Sequence, residues 1–339
     1  MSERMPTTTW TTLWLAAATL CASILCASIH AQEPTPQPEP SEAVVAALTK
    51  TFADAGITFD AKAKTVTIDA VVNRPSDLIE FVLIHRRGKG HEAIFVTEVK
   101  PSLLNASLLA LGWKPGRNAQ AKDKDPMPSE AEIRAGAPTI DILPPEGERV
   151  WITVGWTPAP PDAGTPPKEA APNDKAKDAA TDAAKDTADA APRPVRVAVE
   201  DLMIDLRTGA PVTDSKFVFL GGRMAPINRG DPEVFMADYE GNLVSSCYMH
   251  PPNHLITNVH ERAADEQNWW VADAAPPPGT KVQITFHVAE PKEYAGREAR
   301  ARAEAVKVAK ERARLEAEAK AQADKEKGDK PTPDNGDGP

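Results

Sequence analysis

Cysteine is scarce in this 339-residue chain, which contains only Cys21, Cys26 and Cys247. Cys21 and Cys26 fall inside an apolar N-terminal stretch that is predicted to be removed, so Cys247 is the single cysteine of the predicted mature chain. One thiol excludes a disulfide within that chain and an iron–sulfur or zinc site built from four cysteines. A lone cysteine is typical of a small buried hydrophobic residue, and no cofactor is predicted.

An excess of positive charge is also absent. The chain has 39 Lys and Arg against 49 Asp and Glu, which gives a formal net charge of −10 at pH 7. Its cations are interleaved with acids, whereas a nucleic-acid partner needs a concentrated basic surface. The sequence therefore predicts that nucleic acid is not a ligand.

Several catalytic motifs are missing. The chain has no Gly-x-Ser-x-Gly elbow, no phosphate-binding glycine loop and no dinucleotide fingerprint. His260-Glu261 does not begin a zinc helix of the His-Glu-x-x-His type, because residue 264 is Ala. His250 and His254 have the i, i+4 spacing of helical metal ligands, but the two prolines between them prevent that helix. No catalytic residue and no metal site is predicted, and a metal site assembled from loops stays the alternative.

Residues 1–31 are predicted to be a secretory signal peptide. Arg4 precedes an apolar run over residues 13–29, and small residues lead to Ala31. The alternative is a retained membrane anchor, for which the run is marginal in length. Residues 32–40 predict a Pro-rich linker. We therefore expect an exported protein, periplasmic or secreted, that contacts a membrane only if the N-terminal segment is retained.

Two stretches rich in aromatic and β-branched residues, 41–157 and 195–290, are predicted to form one domain. Residues 158–194 lack aromatic and branched aliphatic side chains and are predicted to be a disordered insertion. Since strand-like sequence flanks this insertion on both sides, we interpret it as an oversized hairpin loop. Residues 291–327 predict a charged helix in solvent, with an oligomerisation helix as the alternative, and residues 328–339 predict a disordered tail.

The hydrophobic periodicity of the domain predicts an α+β fold with a mostly antiparallel β-sheet. One Leu-rich helix is predicted to begin at Pro101, to pack on the sheet and to end at Gly112. Three hairpins are predicted: residues 57–59 with 66–72, residues 78–84 with 93–99 across Gly88 to Gly90, and residues 235–239 with 243–249 across residues 240–242.

Four segments carry a family resemblance: His91-Glu92 through the Leu-rich helix to Gly116, KFVFLGGRM at 216–224, YEGNLVSSCYM at 239–249, and PPPGTKVQITF at 276–286. In this order they resemble the YdjY-type domain of exported bacterial proteins, especially planctomycete ones, over about residues 56–288. That family has no established function. A ferredoxin-like label sometimes given to it would imply an iron–sulfur cluster, which one mature cysteine does not support.

His91 and Glu92 are the leading candidates for a polar site. An imidazole beside a carboxylate, with three basic residues nearby, can bind an anion or transfer a proton. The alternative is that the pair only fixes the local turn through hydrogen bonds. The resemblance implies a histidine where this chain has Asn105 and an aspartate where it has Asn242, so this member departs from a shared polar site.

Five tryptophans can line a carbohydrate or peptide groove, although core packing is their usual role in a strand-rich domain: Trp113, Trp151, Trp156, Trp269 and Trp270. The sequence as a whole predicts a non-catalytic envelope or secreted module that binds an envelope or extracellular macromolecule. The alternative is a metal- or small-molecule-binding protein, or an enzyme, that uses His91 and Glu92.

Overall fold

The computed structural model describes residues 41–73, 78–158, 193–264 and 267–328, with side chains to residue 322. The predicted signal peptide, the predicted Pro-rich linker, nearly all of the predicted insertion and nearly all of the predicted tail lie outside these residues. No helix in the described ranges combines the length and the apolar character needed to span a bilayer.

Five α-helices and seventeen short strands are assigned in the described ranges. The helices are α1 Glu42–Ala53, α2 Pro101–Ala110, α3 Glu130–Arg134, α4 Met236–Glu240 and α5 Arg297–Gly328. The strands are β1 Ile57–Asp60, β2 Thr65–Val72, β3 Phe81–His85, β4 Ala93–Thr97, β5 Gln120–Asp123, β6 Ile140–Leu143, β7 Arg149–Trp156, β8 Val195–Ala198, β9 Met203–Asp205, β10 Ala210–Pro211, β11 Phe217–Phe219, β12 Met224–Pro226, β13 Glu233–Phe235, β14 Asn242–Ser245, β15 Ile256–Asn258, β16 Trp269–Val271 and β17 Lys281–His287.

Eight of these strands form a closed mixed barrel. Their order is β2-β17-β7-β11-β15-β14-β3-β4, and β4 returns to pair with β2. Strand β1 adds to β2 and β8 adds to β7 outside the closure. Antiparallel pairs dominate, as the sequence predicts, but β3 with β4 and β14 with β15 are parallel. The fold class is therefore α+β, with a barrel that the sequence did not predict.

The predicted hairpin across Gly88 to Gly90 is wrong. Phe81 pairs with Ala93 and His85 pairs with Thr97, so β3 and β4 run in the same direction. The connection bends back through a turn and a short 3-10 helix over Gly90–Glu92. Strand β3 is buried along its whole length, and β4 is nearly so. Continuous apolar runs of this kind are typical of parallel strands buried on both faces.

The predicted strand over residues 235–239 is also wrong. Strand β13 ends at Phe235, and residues 236–240 form helix α4. Gly241 has φ +78 and ends the helix in the left-handed conformation, whereas the sequence analysis assigned it to a hairpin turn. The Gly241 carbonyl accepts a 2.7 Å hydrogen bond from the His85 amide. A Cβ at position 241 would lie only 2.6 Å from the backbone nitrogen of Gly88. A side chain on either glycine would separate these two loops.

The prediction that the insertion lies in a hairpin loop is confirmed by the pairing of its flanks. Strands β7 and β8 are antiparallel, and Trp156 pairs directly with Val195. The predicted hairpin of β1 and β2 is confirmed as well, with Asp60 opposite Thr65.

The core fills the barrel and extends beneath α1 and α2. Phe52 of α1 packs against Phe59, with ring centroids 5.2 Å apart. Helix α2 begins at Pro101, as predicted, and buries Leu104 and Leu108 against the sheet. Cys247 is buried in the core, in agreement with its predicted role as a small core residue.

Helix α5 is the predicted charged helix, but its first residue, Arg297, is buried and not solvated. Arg297 is only 2 % exposed, and its Nε lies 2.8 Å from Asp201 Oδ1. The same guanidinium pairs with Glu298 at 3.0 Å and donates to the Val212 carbonyl. The buried guanidinium therefore fastens α5 to the domain, while the rest of the described helix is largely exposed.

A second buried contact lies just before α5. The Tyr294 hydroxyl accepts a 3.2 Å bond from the Ile152 amide, lies 2.9 Å from the Ile152 carbonyl and bonds to Glu200. Burial raises the pKa of Glu200, and the charge of Arg297 and the bond to Tyr294 oppose that rise. Packing of the domain therefore continues past residue 290 into α5.

Candidate functional site

A groove of about 830 Å³ crosses the outer surface of the barrel. Its floor is formed by β2, β17, β7 and β8, and its sides by the end of β4, the α1–β1 turn and the two chain ends that lead into the insertion. Ligand sites commonly have volumes of roughly 300–1,000 Å³. We call this feature the outer groove.

One row of side chains crosses the floor of the outer groove. Asp69, Gln283, Gly155 and Arg196 are paired in register on four adjacent strands, so their side chains lie on the same face. Three interstrand spacings separate the first from the last, a span of about 14 Å. Gln283 Nε2 lies 3.4 Å from Asp69 Oδ1. The row therefore presents a carboxylate, an amide and a guanidinium in sequence.

Gly155 lowers the floor beside the guanidinium of this row. A Cβ at this position would lie 3.5 Å from Arg196 Nε and 3.8 Å from its Nη2. The missing side chain lets Arg196 lie across the neighbouring strand, and a glycine within a strand often marks a close approach of this kind. The Arg196 guanidinium therefore lies close to the backbone of β7, on the floor that a ligand would contact.

Two cations of the outer groove carry uncompensated charge. Glu98 on its side is paired with Arg86 at 3.2 Å. Neither Lys281 nor Arg196 forms an ion pair with any carboxylate in the described part of the chain. Both side chains are exposed.

The next row of outward residues is held together by threonines and a histidine. Thr67 and Thr285 hydroxyls lie 2.9 Å apart, and Thr153 Oγ1 lies 2.9 Å from His287 Nε2. Burial, followed by the charge of Arg196, lowers the pKa of His287, while Glu293 opposes this. These hydroxyls and the imidazole bond to one another, so they support the floor more than they offer charge to a ligand.

Of the five candidate tryptophans, Trp156 lines the outer groove. Trp113 and Trp269 are buried in the core, as the alternative interpretation predicts. Trp151 packs edge-on against Tyr294, and the Arg149 guanidinium lies 3.4 Å from its ring centroid. Trp270 is 37 % exposed on the separate sheet of β10, β9 and β16.

The sequence-predicted pair, His91 and Glu92, lies in the loop between β3 and β4. His91 Nε2 is 3.1 Å from Glu92 Oε1, and the imidazole side chain is 75 % exposed. Lys89 Nζ lies 3.4 Å from Glu92 and 3.6 Å from Glu80. Burial lowers the pKa of Lys89, but these two carboxylates outweigh that effect and raise it. Glu92 thus has two positively charged or chargeable neighbours.

Asn105 lies on α2 and, in the described structure, forms no hydrogen bond with His91 or Glu92. Its Oδ1 is shielded from solvent and has no hydrogen-bond partner in the described part of the chain. Asn242 is buried in β14, where its amide donates a 3.0 Å bond to Glu240. The structure therefore joins His91 to Glu92 but adds neither asparagine to them.

The other candidate histidines differ sharply in environment. His250 is exposed, whereas His254 is fully buried and neither ring nitrogen has a partner among the described residues. Burial lowers the pKa of His254 to about 4. His260 Nδ1 accepts a 3.0 Å bond from the Arg262 amide, and its ring meets Trp269 edge-on. Among the described residues, no three His, Cys, Asp or Glu side chains form a group that could hold a metal ion.

The outer groove was missed by the sequence analysis, although Asp69 lies on a predicted strand and Gly155 and Arg196 lie in the strand-like sequence that flanks the insertion. Each occupies an outward position in an alternating pattern, and that signal was available. The pairing of β2 with β17 and of β7 with β8 was needed to bring them into one row.

Comparison with known proteins gives one match. Residues 57–287 match the YdjY domain. No curated protein matches the chain, and no solved structure does. The matched range contains every strand of the barrel and the whole floor of the outer groove, and it covers more than half of the sequence. The chain therefore belongs to the YdjY domain family.

Proposed function

We propose that this YdjY-domain protein is an exported, non-catalytic module of the envelope or of the extracellular space, and that it binds a macromolecule in the outer groove. The observation that carries this proposal is the row of Asp69, Gln283 and Arg196 across about 14 Å of an open floor. Charged and amide groups spread over this distance suit an extended chain that is gripped at several points.

The groups of the outer groove also differ from those that surround a reacting bond. General acid–base catalysis needs a titrating group within hydrogen-bond reach of one substrate atom. Asp69 and Arg196 instead lie at opposite ends of the row, and Gln283 between them does not titrate near pH 7. This spacing supports binding as the role of the groove.

Site-specific photocrosslinking tests the groove as a binding site. A photoreactive phenylalanine analogue replaces Gln283 on the groove floor in the full chain, produced in its native cells. The matched control places the same analogue at Gln120, another exposed strand glutamine, on the β5–β6 hairpin. We expect a discrete protein or glycan adduct from position 283 only, and its loss when Gly155→Trp fills the groove. Equal adducts from both positions would contradict the proposal.

Export is tested by the N-terminus of the protein isolated from native cells. A start near Gln32 in the periplasmic or secreted fraction is expected if residues 1–31 are a cleaved signal. A Met1 start in the membrane fraction would instead establish the retained anchor.

The second candidate function is metal or small-molecule binding, or catalysis, at His91 and Glu92. The contact of 3.1 Å between an exposed imidazole and a carboxylate favours it. Metal analysis of the purified protein, with thermal shifts on adding zinc or copper, discriminates the two candidates. Stoichiometric metal that disappears in His91→Ala would favour this second function over the groove.

A further inference from the structure

A hairpin over residues 117–146 lies outside the barrel sheet, and we call it the arm. It contains β5, α3 and β6, and its two strands form a sheet of their own. At its base, Arg117 and Glu146 exchange backbone hydrogen bonds of 2.7 and 2.8 Å, and their side chains form an ion pair at 2.7 Å. A two-stranded hairpin alone is at best marginally stable in water. A partner that packs on the arm would therefore stabilise it.

The large apolar side chains of the arm remain partly exposed. Five of them are between 38 % and 51 % exposed: Met127, Ile133, Ile140, Ile142 and Leu143. Ile140 and Ile142 lie on one face of β6, and Ala121 lies beside Ile142 on the same face. Exposed apolar patches rimmed by polar residues mark interaction sites. The arm therefore presents an apolar sheet face to a partner.

The hydrogen bonds of the arm show which backbone groups of β6 are free. The Lys124 amide donates a 2.9 Å bond to the Thr139 carbonyl. These two residues form the pair next to that of Asp123 with Ile140. Hydrogen-bonded and non-hydrogen-bonded pairs alternate along an antiparallel ladder. Ile140 and Ile142 are therefore at non-hydrogen-bonded positions, and their N–H and C=O groups point away from β5. No other strand of the described chain pairs with β6, and all four of its residues are exposed.

The two outer edges of the arm differ in their protection against pairing. Residues 122–125 along the β5 edge read Lys-Asp-Lys-Asp and are followed by Pro126. Charged side chains and proline are common means by which a protein blocks an exposed strand edge. On β6 the one charged residue, Asp141, is already paired with Lys124 Nζ at 2.9 Å. The isoleucine edge of β6 is therefore the one that remains open to another strand.

The β6 edge is complementary to itself. If two copies of β6 run antiparallel about a twofold axis at Asp141, Ile140 of each copy lies opposite Ile142 of the other. Since both isoleucines have outward backbone groups, these two pairs form four hydrogen bonds. The four isoleucines then lie on one face of a four-stranded sheet, where cross-strand pairs of β-branched residues are stabilising. A second copy therefore satisfies the free backbone groups of both isoleucines.

We propose that this chain forms a twofold dimer in which a second copy covers the β6 edge. The outer edges of the joined sheet are the two copies of β5, with their alternating charges, so the assembly closes at two chains. The one unfavourable contact is Asp141 opposite Asp141 of the second copy, since like charges directly opposite are destabilising. Lys124, which pairs with Asp141, and Lys122, which lies opposite it in register, offset this repulsion.

Sedimentation velocity of the chain as its native cells produce it measures this association. Because one strand edge buries less than the roughly 1,600 Å² of a stable interface, we expect the dimer to form at roughly tens of micromolar. Ile142→Lys should weaken dimerisation at least about tenfold, because a charged side chain blocks the edge. Val306→Lys on α5 is the matched control: Val306 is 54 % exposed, and this change should leave the dimer intact. A chain that stays monomeric at hundreds of micromolar, or a dimer that Ile142→Lys weakens no more than Val306→Lys does, would overturn the proposal.

A disulfide tests the register of the two strands. In the proposed dimer, Asp141 and its copy form a non-hydrogen-bonded pair with Cα atoms about 4.5 Å apart, within the range that a disulfide spans. Asp141→Cys should therefore give a covalent dimer on mild oxidation. Lys122→Cys is the matched control, because its two copies would lie three strand spacings apart, about 14 Å. Both side chains are exposed, so neither change should affect folding. Covalent dimer in equal yield from the two variants, or from neither, would overturn a twofold axis at Asp141.

The dimer and the proposed function can fail independently, because the arm and the outer groove share no residue. Loss of the dimer in Ile142→Lys should leave the groove adduct at position 283 unchanged. The crosslinking control, Gln120, lies on the arm, where an adduct to a second copy has twice the mass of the chain. That mass distinguishes it from an adduct to a groove ligand.

Discussion

Replacing His254 with Leu tests how the fold responds to acid. His254 is fully buried, its ring nitrogens have no partner among the described residues, and burial lowers its pKa to about 4. The folded protein therefore keeps the ring neutral at pH values where an unfolded histidine, with a pKa of about 6.5, becomes protonated. Because the folded-state pKa is the lower one, the stabilising contribution is complete above about pH 6.5 and is lost as the pH falls toward about 4.

The magnitude follows from these two pKa values. A folded pKa of about 4 removes roughly 2 kcal/mol of unfolding free energy between about pH 7 and pH 5, and about 3 kcal/mol by pH 4. Leu is similar in volume to His and does not titrate. We expect His254→Leu to lose about 2 kcal/mol less than the unsubstituted protein between about pH 7 and pH 5. The variant should be no less stable at pH 7, because it removes two buried nitrogens that lack partners.

Equilibrium unfolding in urea, followed by tryptophan fluorescence across this pH range, measures the effect. The unfolding free energy of the variant should still fall with decreasing pH, but less steeply, because burial also lowers the pKa values of His85, His260 and His287. His91→Leu is the matched control, since its side chain is 75 % exposed, and it should retain the full dependence on pH. An unchanged pH dependence in His254→Leu would refute a buried neutral imidazole at this position.

Two paired substitutions test the other contacts by the same unfolding assay. Arg297→Met is expected to lower the free energy of unfolding by about 3 kcal/mol because it leaves a shielded carboxylate without its counter-charge, whereas Arg302→Met breaks an exposed ion pair and should cost less than about 1 kcal/mol. Gly241→Ala should cost at least about 1 kcal/mol more than Gly136→Ala: both residues have positive φ, but only the new Cβ at 241 meets a backbone atom, Gly88 N, at 2.6 Å. Similar losses within either pair would contradict the contact that distinguishes it.

Local patterns predicted those elements whose partners are adjacent along the chain. Strands β1 and β2 alternate buried and exposed residues around a short turn, so their pairing follows from the sequence alone. Helix α2 is predicted by Pro101 at its start and by leucines at helical spacing. The pairing of β7 with β8 was also predictable, because strand-like sequence ends and resumes directly at the insertion.

The parallel strand pairs could not be predicted from local patterns, because a glycine between two strands is compatible with more than one backbone connection. Gly88 allows a tight bend, but a bend does not determine whether the next strand returns beside the first one in the opposite direction. Gly241 has the positive φ of a hairpin turn and equally that of a helix end. Burial of β3 on both faces distinguishes a parallel pair from a hairpin. That burial depends on the whole barrel and is not visible in the local sequence.

The candidate sites show the same limit. His91 and Glu92 are adjacent in sequence, so their contact was visible without a fold. Asp69, Gln283 and Arg196 are far apart in the chain and become one row only through the register of β2, β17, β7 and β8. Outward alternation identifies each of them as a surface residue, but only strand order assembles them into a groove.

Strand β8 pairs with β7 but lies outside the closed barrel. A closed sheet satisfies its own strand edges. The insertion enters and leaves at Trp156 and Val195, which are already paired. The length of the insertion therefore does not enter the register of the barrel.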